Sequence, residues 1–256
     1  MERIRDTRST GLKRSTLRTW GMIIVAAGIV GRCILQNQLL GLGKITGQEL
    51  MEAMNSPEMM GYATAALILQ VLEACAVPIF ACLLVEGFQH TSNYTNYFLR
   101  VAGVAVLSEL PYNLAMSGSW LDASSRNPVF GLVLCLVLLY FFKRYEGKTL
   151  QNIFVKVVVL LAACIWTTML KIDNGLCLVL VACVLWLFRG NVLYRNFAGA
   201  TVSIVCSLIS PFFLAAPMGF LLVHFYHGEK GPDNRVVNYL AYPVLLLVIG
   251  LVGLFI

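Results

Sequence analysis

The sequence predicts an all-α membrane protein, a polytopic bundle of about eight or nine transmembrane helices, from three observations. Hydrophobic residues make up 59% of the 256 positions and charged residues only 12%, too little polar surface to cover a soluble globule. The mean hydropathy is accordingly high, at +0.78. Apolar runs of roughly 20 residues, the length needed to span a bilayer, alternate with short polar connections and leave no room for a separate soluble domain. Arg3, Arg5, Arg8, Lys13, Arg14 and Arg18 all precede the first apolar run, the pattern that holds an N-terminus in the cytoplasm. The chain therefore divides into a basic cytoplasmic tail, residues 1–19, and a single transmembrane domain, residues 20–256.

The formal charge of +6 is not that of a nucleic-acid binder, because the bases are not gathered on a soluble module with interleaved aromatics. It reads as topology, and no nucleic-acid partner is expected. The run from Trp20 is longer than the core of a signal peptide and no small-residue cleavage site ends it, so the first span is expected to stay as an anchor. All eight cysteines lie within apolar runs, with no C-x-x-C pair and no histidine at ligand spacing, which predicts free thiols and no metal.

In order, the first span is expected over about Trp20 to Leu42, interrupted by Arg32, Gln36, Asn37 and Gln38. An arginine near the far end of a helix either snorkels to the interface or faces inward. The polar segment Gly43 to Glu58 has the leucine and methionine spacing of a short interfacial helix. The second span, about Met59 to Phe88, would be roughly 45 Å long if straight and is expected to kink at Pro78. After the turn His90 to Asn96, the third covers about Tyr97 to Met116 with Glu109 inside it. An outer loop, Ser117 to Arg126, leads to the fourth, Pro128 to Phe142. The fifth occupies about Thr149 to Leu170, and a tight turn at Lys171 to Gly175 sends the sixth back to Phe188. Pro211 and Pro217 break the apolar stretch Phe197 to Tyr226 into two short spans meeting near Ser210. The last span is Val236 to Ile256. Nine spans place about 14 Lys and Arg inside, against Lys44, Arg126 and Lys171 outside. If Phe197 to Tyr226 is one broken span, the count is eight and the C-terminus changes side.

The stretch Pro78 to Asn113 concentrates the ionisable groups that a bilayer makes costly: Glu86, His90, Arg100 and Glu109. Glu86 and His90, four residues apart, share a face if the helix continues through them. A carboxylate accepting from imidazole would fix its tautomer and leave the other ring nitrogen as a general base. The same spacing also suits a polar helix end solvated at the cytoplasmic surface. Glu109 lies about 13 Å beyond Arg100 along a helix, within the membrane, and needs a partner such as Arg32, Arg126 or a facing helix end. It serves equally well as half of a structural ion pair, and Glu73 has the same standing. Asp122, Asn127, Lys171 and Asp173 are most economically loop and capping residues.

The run PIFACLLVEGFQHTSNYTNYFLR, then SELPYNLAMSGSWLD, RNPVF, KIDNGLCLVLVACVLWLFR and FYHGEKG before a final span with AYP, resembles the TraX family of bacterial membrane proteins. The archetype of that family is required for N-terminal acetylation of F-type conjugative pilin. The matching positions are Glu86, Gly87, His90, Thr91, Arg100, Ser108, Glu109, Pro111, Asn127, Asp173, Gly175, Gly228 and Gly231. The resemblance implies a transmembrane acyltransferase fold in the bacterial inner (cytoplasmic) membrane, with the N-terminus cytoplasmic. It also implies acetyl-coenzyme A as donor and a small membrane-associated peptide as acceptor. Three departures stand out: the first span, IIVAAGIVGRCILQN, lacks the family's Asp-His pair, Val244 and Leu245 stand where a histidine follows Pro243, and Asn174 replaces a tyrosine.

Two functions follow. As an acetyltransferase, the chain would use His90 as base, Glu86 as its orienter, Arg100 as oxyanion or phosphate partner with Glu109 as a further catalytic carboxylate, and Lys143, Arg144 and Arg189 as contacts for the donor's phosphates. As a non-catalytic protein on the same fold, a partner subunit, binder or transporter component, it would use Glu73 and Glu109 to hold helices together. The oligomeric state is open at this level.

Overall fold

The computed structural model describes residues 11–41, 56–229, 231–232 and 234–256. Of the segment Gly43 to Glu58, where an interfacial helix is expected, residues 43–55 lie outside them, as do the bases Arg3, Arg5 and Arg8, while Ser56 to Glu58 belong to the start of the next helix. Among the described residues the fold is entirely helical, with two isolated bridges, Leu12 to Tyr226 and Arg126 to Ile172, tying loops together.

Helix α1, Arg14–Val30, continues as a nine-residue π-helix, Gly31–Leu39. The wider π turns carry Arg32, and such segments are frequent at functional sites. Helix α2, Pro57–Glu73, starts with Ser56 accepting from the Met59 amide and proline in the first turn. Helix α3, Ala76–His90, follows after a break at Ala74 and Cys75. The kink expected at Pro78 thus falls four residues earlier, because its ring crowds the carbonyl of residue 74 and it has no N–H to give.

Helix α3 is buried along most of its length. Asn93 then caps α4, Tyr94–Ser117, which ends at Gly118 in the left-handed region (φ 69°). Helices α5, Val129–Arg144, and α6, Leu150–Met169, form the next pair. Lys171 and Asn174, both at positive φ, make the tight turn into α7, Gly175–Leu187. Helix α8, Val192–Cys206, is capped by Asn191 and gives way to a 3₁₀ stretch, Pro211–Met218, and a short α9, Gly219–His224. The interruption expected near Ser210 is present. Helix α10, Arg235–Phe255, capped by Asn234, lies along α4.

The core sits between α3, α5 and α7, where Ile79, Leu136, Leu138, Leu139, Val179, Val181 and Leu185 are fully buried. Helix α6 shows Phe154, Leu161, Ile165, Trp166 and Met169 to its surroundings, an apolar exterior suited to lipid. All eight cysteines are free thiols, seven of them buried.

The boundaries match the sequence reading to within a few residues, but the span count does not. Among the described residues, four helices are long and apolar enough to cross a membrane: Arg14–Leu39, Pro57–His90 taken through its break, Leu150–Met169 and Val236–Phe255. Gly175–Leu187, Val192–Cys206 and Pro211–His224 are apolar but shorter. Thirteen residues at 1.5 Å each give α7 about 20 Å, less than the ~30 Å hydrocarbon core. The expected eight or nine full spans counted these pieces, together with α4 and α5, which are not among the four, as full crossings.

Candidate functional site

Two cavities enter the bundle from opposite ends. The first, of about 540 Å³, opens beside the turn His90 to Asn93, with Arg14, Arg18 and Arg100 at its mouth. It runs along α3 between α1, α4 and α10 to a floor made by Glu73, Asn174 and Tyr242. The second, of about 380 Å³, opens at the tight turn and is lined by Arg32, Gln70, Thr167, Lys171, Asp173 and Ser210 among others. Glu73 and Asn174 line both.

The partition is an ionic cluster. Arg32 donates through Nη2 to Glu73 Oε2 at 2.9 Å and through Nη1 to Asp173 Oδ2 at 2.6 Å. Asp173 Oδ2 also accepts from the Tyr112 hydroxyl at 3.1 Å. Beside it, Gln70 donates to Gln36 at 2.7 Å, occupying two more polar side chains. Glycine at position 28 brings α1 against the Glu73 side chain, where any Cβ would collide. Arg32, which the sequence allows at either the interface or the interior, faces inward. Asp173, expected to serve the turn, is instead an ion-pair partner within the site.

The other expected residues fall in separate places. His90 and Arg100 line the first cavity at its mouth. Glu86 does not orient His90 through its carboxylate: His90 Nδ1 meets the backbone carbonyl of Glu86 at 2.9 Å. A carbonyl can only accept, so Nδ1 carries the proton and neutral His90 keeps Nε2 as an acceptor. The Glu86 carboxylate instead accepts from Tyr226 at 2.6 and 2.5 Å to its two oxygens. Burial, and then this carboxylate, push the Tyr226 phenol well above its ordinary pKa, so it stays a donor. The same corner joins the start of α1 to the 225–229 loop, with Leu12 N–H donating to Phe225 and Arg14 N–H to Glu229.

Glu109 lies at the other end of α4. Arg126 donates to its Oε1 at 2.7 Å, and Asn127 Nδ2 to its Oε2 at 2.7 Å. Asn127, fully buried, also donates to the Ala105 carbonyl and accepts from the Val129 amide. Glu109 lines neither cavity. It anchors the loop before α5, and Arg126 in turn bridges to the tight turn at Ile172. Glu109→Leu is expected to lower stability by about 2 kcal/mol, since it strands Arg126 and part of Asn127. Thermal unfolding in detergent checks this, and an unchanged melting temperature would refute the anchoring role.

Lys143, Arg144 and Arg189 line neither cavity. Lys143 lies over the Phe88 ring, 5.6 Å from its centroid, and Arg144 is exposed. Arg189 pairs with Glu146 and lies 4.3 Å from the Trp186 ring centroid. The cations that line the first cavity are Arg14, Arg18 and Arg100, two of which the sequence presents only as flanking charge. Tyr112 and Tyr242 were also missed, although each adjoins a helix-internal proline, Pro111 and Pro243. Among the described residues, no group of three or more His, Cys, Asp or Glu is placed to hold a metal ion.

A family model described as TraX protein matches residues 51–253 of this chain. The chain belongs to the TraX family. No curated protein and no solved structure matches it. The TraX match takes in both carboxylates that meet Arg32 and the whole His90 turn, but begins beyond α1 and its π-helical extension.

Proposed function

We propose that this TraX-family protein transfers an acetyl group from acetyl-coenzyme A to an amine or hydroxyl of a small membrane-associated peptide. The observation that carries the reading is the first cavity, basic at its mouth and closed by a carboxylate at its floor. Helix α3 measures ~22 Å at 1.5 Å per residue, a depth of the same order as an extended pantetheine arm. With the donor's phosphates held by Arg14, Arg18 and Arg100, the thioester reaches toward Glu73, Asn174 and Tyr242. The second cavity would admit the acceptor from the other end. A basic N-terminal tail held in the cytoplasm puts the mouth on the side that supplies acetyl-coenzyme A, in a bacterial inner membrane.

His90, among the mouth arginines, binds the donor in this reading and does not carry out the chemistry. His90→Ala and Arg100→Ala are each expected to raise the KM for acetyl-coenzyme A about tenfold with kcat largely kept, since a hydrogen bond to a charged group contributes roughly 1.5 kcal/mol or more. A collapse of kcat at unchanged KM in His90→Ala would return the role of base to His90.

A non-catalytic protein on the same fold is the second reading, favoured by the missing Asp-His pair in the first span. It expects no release of coenzyme A under any acceptor condition.

A further inference from the structure

We propose that Glu73 is the base of this site, the group that takes the proton from the acceptor at the junction of the two cavities. The proposal rests on the acetyl-transfer reading above and names the residue that performs its central step.

Glu73 and Asn174 are the two residues common to both cavities, and of the two only Glu73 can accept a proton. The other carboxylates are committed elsewhere. Glu86 holds Tyr226, and Glu109 holds Arg126 and Asn127 away from either cavity. Asp173 lines the second cavity alone, and its Oδ2 already accepts from both Arg32 and Tyr112. Glu73 is engaged through Oε2 alone in the hydrogen bonds of the described residues. His90 is ~22 Å of helix away.

The surroundings hold this carboxylate in one place. Arg32 grips Oε2, and the α1 backbone at Gly28 packs against the side chain with no Cβ between them. Asn174, in the left-handed conformation that asparagine tolerates, completes the junction from the tight turn. A base positioned by an arginine and a close-packed backbone satisfies the geometric demand of proton transfer at a reacting atom. The first span, where the family's Asp-His pair is missing, contributes Arg32, and the adjoining second span contributes the carboxylate.

The step balances without another reactant. The acceptor's nitrogen or oxygen lone pair attacks the thioester carbonyl carbon, and the acceptor's proton passes to Glu73 as the new C–N or C–O bond forms. The C–S bond then breaks, and coenzyme A leaves as a thiolate that takes the proton from Glu73. The products are the acetylated acceptor, free coenzyme A thiol and the original carboxylate.

The test uses detergent-purified full-length protein, acetyl-coenzyme A and a membrane-peptide pool, following donor binding and thiol release across pH for wild type, Glu73→Gln and Glu73→Asp. Glu73→Gln is expected to bind the donor with wild-type affinity while thiol release falls about 100-fold or more and loses the pH dependence of the base. Arg32, Asp173 and Tyr242 face Glu73, with Tyr112 behind Asp173, and all four are retained in both variants, so a pH dependence lost in Glu73→Gln traces to the Glu73 carboxylate. Should Glu73→Gln not fold, Glu73→Asp keeps the charge and the Arg32 pair but withdraws the carboxylate by one methylene, and its rate is expected to fall at least about tenfold. Wild-type rates in a folded variant would overturn the role of Glu73 and leave acetyl transfer standing. No thiol release by the wild type would overturn acetyl transfer itself, and this role with it.

Discussion

Arg32→Met is expected to destabilise the protein by about 3 kcal/mol. The substitution keeps an unbranched side chain of similar reach but leaves Glu73 and Asp173 facing each other without a countercharge. Breaking a buried pair from one side is costly because the remaining charge has lost both water and its partner. The Glu73 side chain is 9% exposed, whereas those of Arg32 and Asp173 are 24% exposed, which places the cost at the lower end of the range for buried pairs. Thermal unfolding in detergent, followed by tryptophan fluorescence, reads the effect. A triple variant, Arg32→Met with Glu73→Gln and Asp173→Asn, should recover most of the loss, because it removes the stranded charges as well. A single variant that melts with wild type would mean that the cluster is solvated and that the partition between the cavities is not held by charge.

Gly28→Ala is the second such substitution. A Cβ at this position would lie 2.5 Å from the Glu73 Cβ and closer still to its carboxylate, so α1 and α2 must separate or Glu73 must leave Arg32. Overpacking of this kind costs roughly 1–3 kcal/mol, and here it also displaces the group assigned to proton transfer. Two internal controls exist. Gly61 and Gly103 have nothing within 4 Å of an added Cβ, so alanine there should be neutral or slightly stabilising through its higher helix propensity. The expected result is a lower melting temperature and lost thiol release for Gly28→Ala alone. Equal behaviour of the three variants would show that the α1 to α2 approach is looser than the geometry indicates.

The helices were legible in the sequence because hydropathy and proline act locally. Pro78 displaces the break to residue 74 through a contact only four residues long, and Asn93, Thr149, Asn191 and Asn234 cap the helices that follow them. The site was much less legible, because its partners are far apart in the chain. Arg32 meets Glu73 across 41 residues and Asp173 across 141, and Glu86 meets Tyr226 across 140. Local spacing drew attention to Glu86 and His90, four residues apart, yet their contact runs through a backbone carbonyl. Asp173 sits in a turn rich in turn-forming residues, which hides an ion-pair role. Arg14 and Arg18 belong to a basic run that the rules of membrane topology already account for, so nothing in their pattern separates a cavity-lining arginine from a flanking one. Glu109 was the exception: its depth in the helix demanded a partner, and Arg126, one of those anticipated, supplies it.

Helix count was the other weak point. Hydropathy registers α7, α8 and the Pro211–His224 piece as apolar without measuring whether each is long enough to reach both interfaces. The distinction bears on the site, because short elements ending at the tight turn and at Ser210 are what open the second cavity.

The most direct test of acetyl transfer is to incubate detergent-purified full-length protein with acetyl-coenzyme A and a membrane-peptide pool and to follow the appearance of free thiol together with saturable donor binding. The account predicts binding that weakens with salt, as expected for phosphates held by Arg14, Arg18 and Arg100, and thiol release that depends on the peptide pool. Failure to bind at millimolar donor, or binding with no thiol released under any acceptor condition, would contradict it.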